Sequence, residues 1–275
     1  TYGGAGIGVE EKATLLITKE STGRLTATGG GYGAAGIGGR ATVPDYENTI
    51  ISYKTGTIEI QGGNIHAVGG DYWFRGSAVR LGGAGIGTGM YGIGGTVRIL
   101  GGTVKAEGGR DTGAGIGGGD NGAVDSIQIG GKEGEAPEVE ASSWNVKYGA
   151  AIGSGRNAQS GLKLSCGTIN IFSGNLKVKG NIGYGGIDKN EGNEQIGGSV
   201  DISEQVKLKL TDGTIEPRGT TCTFGKKTFQ MTVYDNQLSD GTYSVKIRFY
   251  QEGDTARNTP VYETDAEMEV SAFKG

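Results

Sequence analysis

Short segments of alternating aliphatic and polar residues, separated by glycine turns, recur along most of the 275-residue chain. The pattern is plainest at Thr96-Val97-Arg98-Ile99, followed by Gly101-Gly102 and then Thr103-Val104-Lys105-Ala106. It returns as Thr57-Ile58-Glu59-Ile60 with Asn64-Ile65-His66-Ala67, and as Thr168-Ile169-Asn170-Ile171 with Asn175-Leu176-Lys177-Val178. Period-2 alternation with β-branched residues predicts strands. A third word, Gly-Ala-Gly-Ile-Gly or a near copy, is centred on Ile7, Ile37, Ile86, Ile116, Ile152 and, degraded, Ile182. Three short strands per repeat, joined by loops of variable length, describe a parallel β-helix. A sandwich or a propeller is the alternative use of such strands.

Column alignment separates these architectures. In the first segment the leading position is Thr14, Thr57, Thr96, Ser126, Thr168 and Ser199. The second position is Leu15, Ile58, Val97, Ile127, Ile169 and Val200, and the fourth is isoleucine in all six copies. Between them the third position runs Leu16, Glu59, Arg98, Gln128, Asn170 and Asp201. Two aliphatic columns around a freely varying one are the buried and solvated faces of a stacked sheet. The second segment repeats the device with inward pairs Leu25/Ala27, Ile65/Ala67, Val104/Ala106, Val139/Ala141, Leu176/Val178 and Val206/Leu208. The fourth-position isoleucines are spaced by 43, 39, 30, 42 and 31 residues, so the excess sits in loops while the columns hold. A propeller needs four strands per blade and a steadier period.

The expectation is an all-β chain: a parallel β-helix of about six three-strand coils over residues 1–213, wound right-handed as parallel crossovers prefer. Residues 214–275 read as a small antiparallel β unit. Its strands are expected at Lys227–Tyr234, Thr242–Tyr250 and Val261–Val270, with Ser239-Asp240-Gly241 as the turn between the first two. The chain opens inside a coil word, at Gly3-Gly4-Ala5-Gly6-Ile7, and reads as a fragment of a longer protein.

Composition narrows the chemistry. Glycine supplies 58 residues, without the Gly-X-Y period of collagen. No apolar run is long enough to span a membrane. A net charge of −4 argues against nucleic acid as a partner. One histidine, His66, and two cysteines, Cys166 and Cys222, leave little for zinc, haem or a histidine-based triad. The reading is therefore of a protein that is not an enzyme and uses no cofactor and no metal. The two cysteines are compatible with a disulfide or with two buried thiols.

Four exposed features remain. The loops leading into the third segment collect aromatics: Tyr32, the run Tyr72-Trp73-Phe74-Arg75, and Trp144 with Tyr148. Such rings along one edge would make a platform for pyranose faces, or would staple neighbouring coils. Gly6, Gly36, Gly85, Gly115, Ala151 and Asn181 form an expected outward strip, flat enough for a ligand or serving only tight geometry. The outward column of segment two holds Thr26, His66, Lys105, Glu140, Lys177 and Lys207, a weakly basic ladder that reads as a solvated face or a lure for an acidic polysaccharide. Asp188, Glu191 and Glu194, and separately Asp120-Asn121-Gly122, are loop carboxylates that lack the ligand spacing of an EF-hand.

The alternation of Gly-Gly-Ala-Gly-Ile-Gly with Gly-Thr-Val-Arg-Ile and Gly-Gly-Thr-Val-Lys-Ala resembles the glycine-rich β-helical repeats of large, adhesin-like bacterial surface proteins. It is more loosely similar to non-catalytic, pectin-binding β-helix proteins, whose Asp-Gly-Ile word is replaced here by Ala-Gly-Ile. The resemblance covers roughly residues 1–210. It implies an extracellular or cell-surface adhesion or carbohydrate-binding module whose partner is a polysaccharide or a host-cell glycan. The competing readings are a passive spacer and a polysaccharide lyase or glycoside hydrolase. The last would need two carboxylates about 5–10 Å apart across one cleft.

Overall fold

A computed structural model of the chain describes residues 2–42, 52–73, 78–131, 136–159, 161–187, 192–216, 220–224, 227–231, 241–249 and 262–270. Among them there is no helix; every regular element is a strand. Three parallel sheets, each stacked in chain order, build the β-helix. Sheet 1 comprises Thr14–Ile17, Thr57–Ile60, Thr96–Ile99, Ser126–Ile129, Thr168–Ile171 and Ser199–Ile202. Sheet 2 comprises Arg24–Thr28, Asn64–Val68, Thr103–Glu107, Glu138–Ser142, Gly174–Lys179 and Val206–Thr211. Sheet 3 is made of two-residue strands: Ile7–Gly8, Ile37–Gly38, Ile86–Gly87, Ile116–Gly117, Ile152–Gly153, Ile182–Gly183 and Ile215–Glu216.

Register follows the sequence columns. Val97 pairs with Ile58 and Ile127, and Ile99 with Ile60 and Ile129, so like residues sit one above another. Ile37, Ile58, Ile60, Ile65, Ile86, Ile99, Ile116, Ile127, Ile129, Ile152 and Ile169 are fully buried in one continuous core. Each such side chain contributes about 1.5–3 kcal/mol relative to exposure. The intervening positions, such as Glu59, Arg98 and Gln128, stay partly exposed.

Sheet 3 tolerates no such freedom. Gly38, Gly87, Gly117 and Gly153 have φ of 132°, 136°, 132° and 137°. A Cβ on any of them would lie 1.9–2.0 Å from the carbonyl oxygen of the glycine one coil further on. The reason is the positive φ, which aims a Cβ at the carbonyl that the inter-coil hydrogen bond holds close. Gly118 N donates to Gly153 O at 2.8 Å, as Gly39 N does to Gly87 O and Thr88 N to Gly117 O. Gly8 lacks the positive φ, and although Val9 N donates to Gly38 O at the same 2.8 Å, a Cβ there meets nothing within 4 Å.

Several expectations need correction. The glycine strip is not a flat outer surface: Gly36, Gly85 and Gly115 are buried. Their missing side chains would collide with backbone at the ends of sheet-2 strands, at Val68, Glu107 and Ser142. The strip is a seam between two sheets and offers nothing to a ligand. In the sixth coil, Leu208 pairs with Leu176 and Leu210 with Val178, so the inward pair is Leu208/Leu210. Lys209, two residues beyond Lys207, therefore stands in the outward column beside Lys177, and Lys207 pairs with Asn175. The coil word also returns once beyond residue 213, where Ile215–Glu216 pairs with Ile182–Gly183.

After the coils, Thr220–Phe224 and Lys227–Met231 form an antiparallel hairpin, and Thr220–Phe224 lies beside Ser199–Ile202. Residues 233–274 form a separate compact unit whose described part pairs Gly241–Phe249 antiparallel with Tyr262–Val270. The strand at Lys227–Met231 thus pairs backward in sequence rather than across the expected turn, of which Ser239 and Asp240 lie outside the described residues.

The ladder gives a direct test. Gly117→Ala forces a side chain into a positive-φ site against Gly153 O and is expected to cost about 3 kcal/mol or more. Gly8→Ala, where a Cβ meets nothing within 4 Å, is expected to leave the melting temperature essentially unchanged. Thermal unfolding of both variants by circular dichroism reads the difference.

Candidate functional site

The loops between sheets 2 and 3 lie one above another, and their side chains join coil to coil. Tyr32 and Tyr72 stack with ring centroids 5.0 Å apart. Both pack with Leu81 and Tyr91 over buried Ala34, Ala41 and Met90, so these two rings staple neighbouring coils. Asp71–Tyr72 pairs antiparallel with Leu81–Gly82 within the connection from Val68 to Ile86. Asp71 Oδ1 accepts from the Arg110 amide at 2.5 Å, and the Arg110 guanidinium lies 5.0 Å from the centroid of the Trp144 ring. A continuous polar and aromatic edge therefore runs from Tyr32 to Trp144.

The predicted residues divide along it. Trp73 and Trp144 are 59% and 64% exposed, while Tyr32, Tyr72 and Tyr148 are half-buried. Phe74 and Arg75 lie outside the described residues. Tyr148 has the Arg156 guanidinium 5.7 Å from its ring centroid. Arg156 in turn pairs with fully buried Asp120 at 2.9 Å, and Asn121 Nδ2 donates to the same carboxylate at 2.7 Å. Complete burial pushes the Asp120 carboxyl up, against the pull of Arg156. Asp120 is thereby committed to an arginine as a loop anchor.

Trp144 also walls a groove of about 620 Å³ on the outer face of sheet 2. Its floor carries Glu107, Glu140, Lys177, Lys179, Lys209 and Thr211, and Ser142 and Ser143 line its side. Alternation explains the floor, since every second residue of four successive sheet-2 strands points outward. Glu107 is already engaged: its Oε1 lies 2.9 Å from Lys105 Nζ and 2.6 Å from His66 Nε2. Partial burial pushes this carboxyl up, but hydrogen bonds and charge from Lys105 and His66 outweigh that and hold it below the ordinary 4.5. The bond to Glu107 correspondingly raises the Lys105 ammonium. His66 therefore has a partner on the neighbouring strand, which its position in an outward column does not disclose. Ser143 is buried, and its Oγ, which faces Gly180, has no hydrogen-bond partner among the described residues.

Among the described residues, no group of three or more histidine, cysteine, aspartate or glutamate side chains is placed to hold a metal. Of the acidic loop cluster, Asp188 and Glu191 lie outside the described residues, and Glu194 pairs with Lys163 at 2.9 Å. Cys166 is a free, buried thiol in the core; burial pushes its pKa up to about 11, away from nucleophilic use. Among the described residues no helix is long and apolar enough to cross a membrane.

The groove and edge residues missed in the sequence are Glu107, Arg110, Ser142, Ser143, Lys179, Lys209 and Thr211. Lys179 was findable, because it is two positions beyond Lys177 on the same outward face. Lys209 needed the sixth-coil register, and Arg110 and Ser143 belong to loops with no period to read.

The depressed Glu107 carboxyl makes a prediction about acid. Because its folded value lies below 4.5, its contribution to stability is complete above that pH and is lost as pH falls through the folded value. Glu107→Gln removes the contribution, so the melting temperature of the variant should fall less steeply than the parent's between about pH 5 and pH 3. A pH series of thermal melts measures this; parallel slopes would show that Glu107 is not held by Lys105 and His66. No protein-family model, curated protein or solved structure matches the chain.

Proposed function

We propose that the chain is a non-catalytic, extracellular carbohydrate-binding or adhesion module of a larger bacterial surface protein. The observation that carries the reading is Trp144, an indole 64% exposed with Arg110 against its ring, standing over a polar groove of about 620 Å³. An indole face stacks on the C–H face of a pyranose, while the nearby lysines, Ser142 and Thr211 engage its hydroxyls. The volume lies in the range of small-ligand sites. The surface setting and the bacterial source rest on the resemblance of the coil words. A passive spacer gives no reason for an exposed indole beside a lined groove.

Two carboxylates, Glu107 and Glu140, line the groove, and a hydrolase reading would recruit them. Glycoside cleavage requires a carboxylic acid with a raised pKa beside a carboxylate. Glu107 is shifted the opposite way by Lys105 and His66, which favours binding without cleavage.

A polysaccharide panel of plant, mucin and bacterial glycans, assayed for both binding and released reducing ends, tests the proposal. Binding without cleavage is expected, with Trp144→Ala weakening it about tenfold or more. Release of reducing ends, or binding indifferent to Trp144, would overturn it.

A further inference from the structure

The charge pattern of the groove specifies the glycan, an inference that rests on the carbohydrate-binding reading above. Lys177 and Lys209 are register partners on adjacent strands, with Cα atoms roughly 4.8 Å apart. Lys179 lies two residues from Lys177 on the same face, about 6.6 Å away. All three are exposed, and none takes part in an ion pair among the described residues. Like charges directly opposite each other weaken a sheet. Elsewhere on this face the pattern is the reverse: Lys105 faces Glu140, and Glu107 takes both Lys105 and His66. Among the described residues the acid in register with the cluster is Glu140, beside Lys177, and the groove's other carboxylate, Glu107, is already taken by Lys105 and His66. This excess of positive charge is local, in a chain of net charge −4.

A second observation points to a ligand. Trp144 presents an indole 64% exposed at the wall of the same groove. A ligand that satisfies both features carries anionic groups and a flat apolar face. We infer that the groove binds an acidic polysaccharide directly through its lysines, with carboxylate or sulfate groups on Lys177, Lys179 and Lys209 and a pyranose face on Trp144.

Isothermal titration of the whole chain with polygalacturonate, chondroitin sulfate and a neutral xyloglucan tests this, at two salt concentrations and with or without a chelator. Polyanion binding that weakens with salt and ignores the chelator is expected. K177Q/K209Q should bind polyanions at least about tenfold more weakly. Its melting temperature should be equal or higher, because a like-charge pair has been removed. K177R/K209R should retain binding, and Lys207→Gln, outside the groove, should change nothing. Preference for polygalacturonate identifies a uronate ligand, and preference for chondroitin sulfate a sulfated one. Equal binding of xyloglucan, unaffected by K177Q/K209Q, would overturn the inference and leave the glycan reading standing. Loss of binding with chelator, or equal loss from Lys207→Gln, would overturn direct recognition at the groove. No binding to any of the three glycans would overturn the inference, and no binding across the wider panel would overturn both readings.

Discussion

Backbone contact between successive glycines of sheet 3 is the constraint on which the coils depend. At Gly38, Gly87, Gly117 and Gly153 the chain adopts a positive φ and comes within hydrogen-bonding reach of the next coil, leaving no volume for a Cβ. One corner of each of these coils is thereby fixed at a single height. The isoleucines immediately before these glycines are brought into vertical file, and the sheet-1 and sheet-2 columns follow at the same pitch. Repeat proteins of this kind gain stability from each coil stacking on its neighbour. A residue that separates two of these backbones acts on both adjoining coils.

With register set from inside, the outer face is free to carry chemistry. Outward positions of sheet 2 vary from threonine to histidine, lysine and glutamate without disturbing the core. The loops between sheets 2 and 3 differ in length but are joined across coils by Tyr32 on Tyr72, Arg110 on Asp71 and Arg110 on Trp144. The groove under Trp144 therefore stands on strands rather than on a lone loop, and its lysines are spaced by the coil pitch. Binding to such a surface requires little ordering of the protein, which favours affinity for an extended ligand.

Much of this was legible in the sequence because identical columns recur at irregular spacing. Thr96, Val97, Arg98 and Ile99 align by type with their neighbours above and below, and the observed register is the same. Alternation names a face but not a register, and that is where the sixth coil went astray. In Val206-Lys207-Leu208-Lys209-Leu210, sliding by two residues preserves every inward and outward assignment, and only pairing with Leu176 and Val178 selects one. The glycine strip misled for a related reason: periodicity placed it opposite the core, whereas sheet-2 strand ends cover it. Composition could not separate Tyr32 and Tyr72, which staple coils, from the exposed Trp144. Nor could it show that Lys105 from the same strand and His66 from the neighbouring one converge on Glu107.

A rigid coil stack with the proposed ligand surface on one outer face is most directly tested by hydrogen–deuterium exchange of the whole chain, with and without an added acidic oligosaccharide. Amides of the sheet-3 ladder, such as Ile116 and Gly118, should exchange slowly in both states. New protection should be confined to peptides covering the groove around residues 107–108, 140–144, 177–179 and 209–211. Fast exchange along the ladder, or new protection on the outer face of sheet 1 around Glu59 and Arg98 instead, would contradict it.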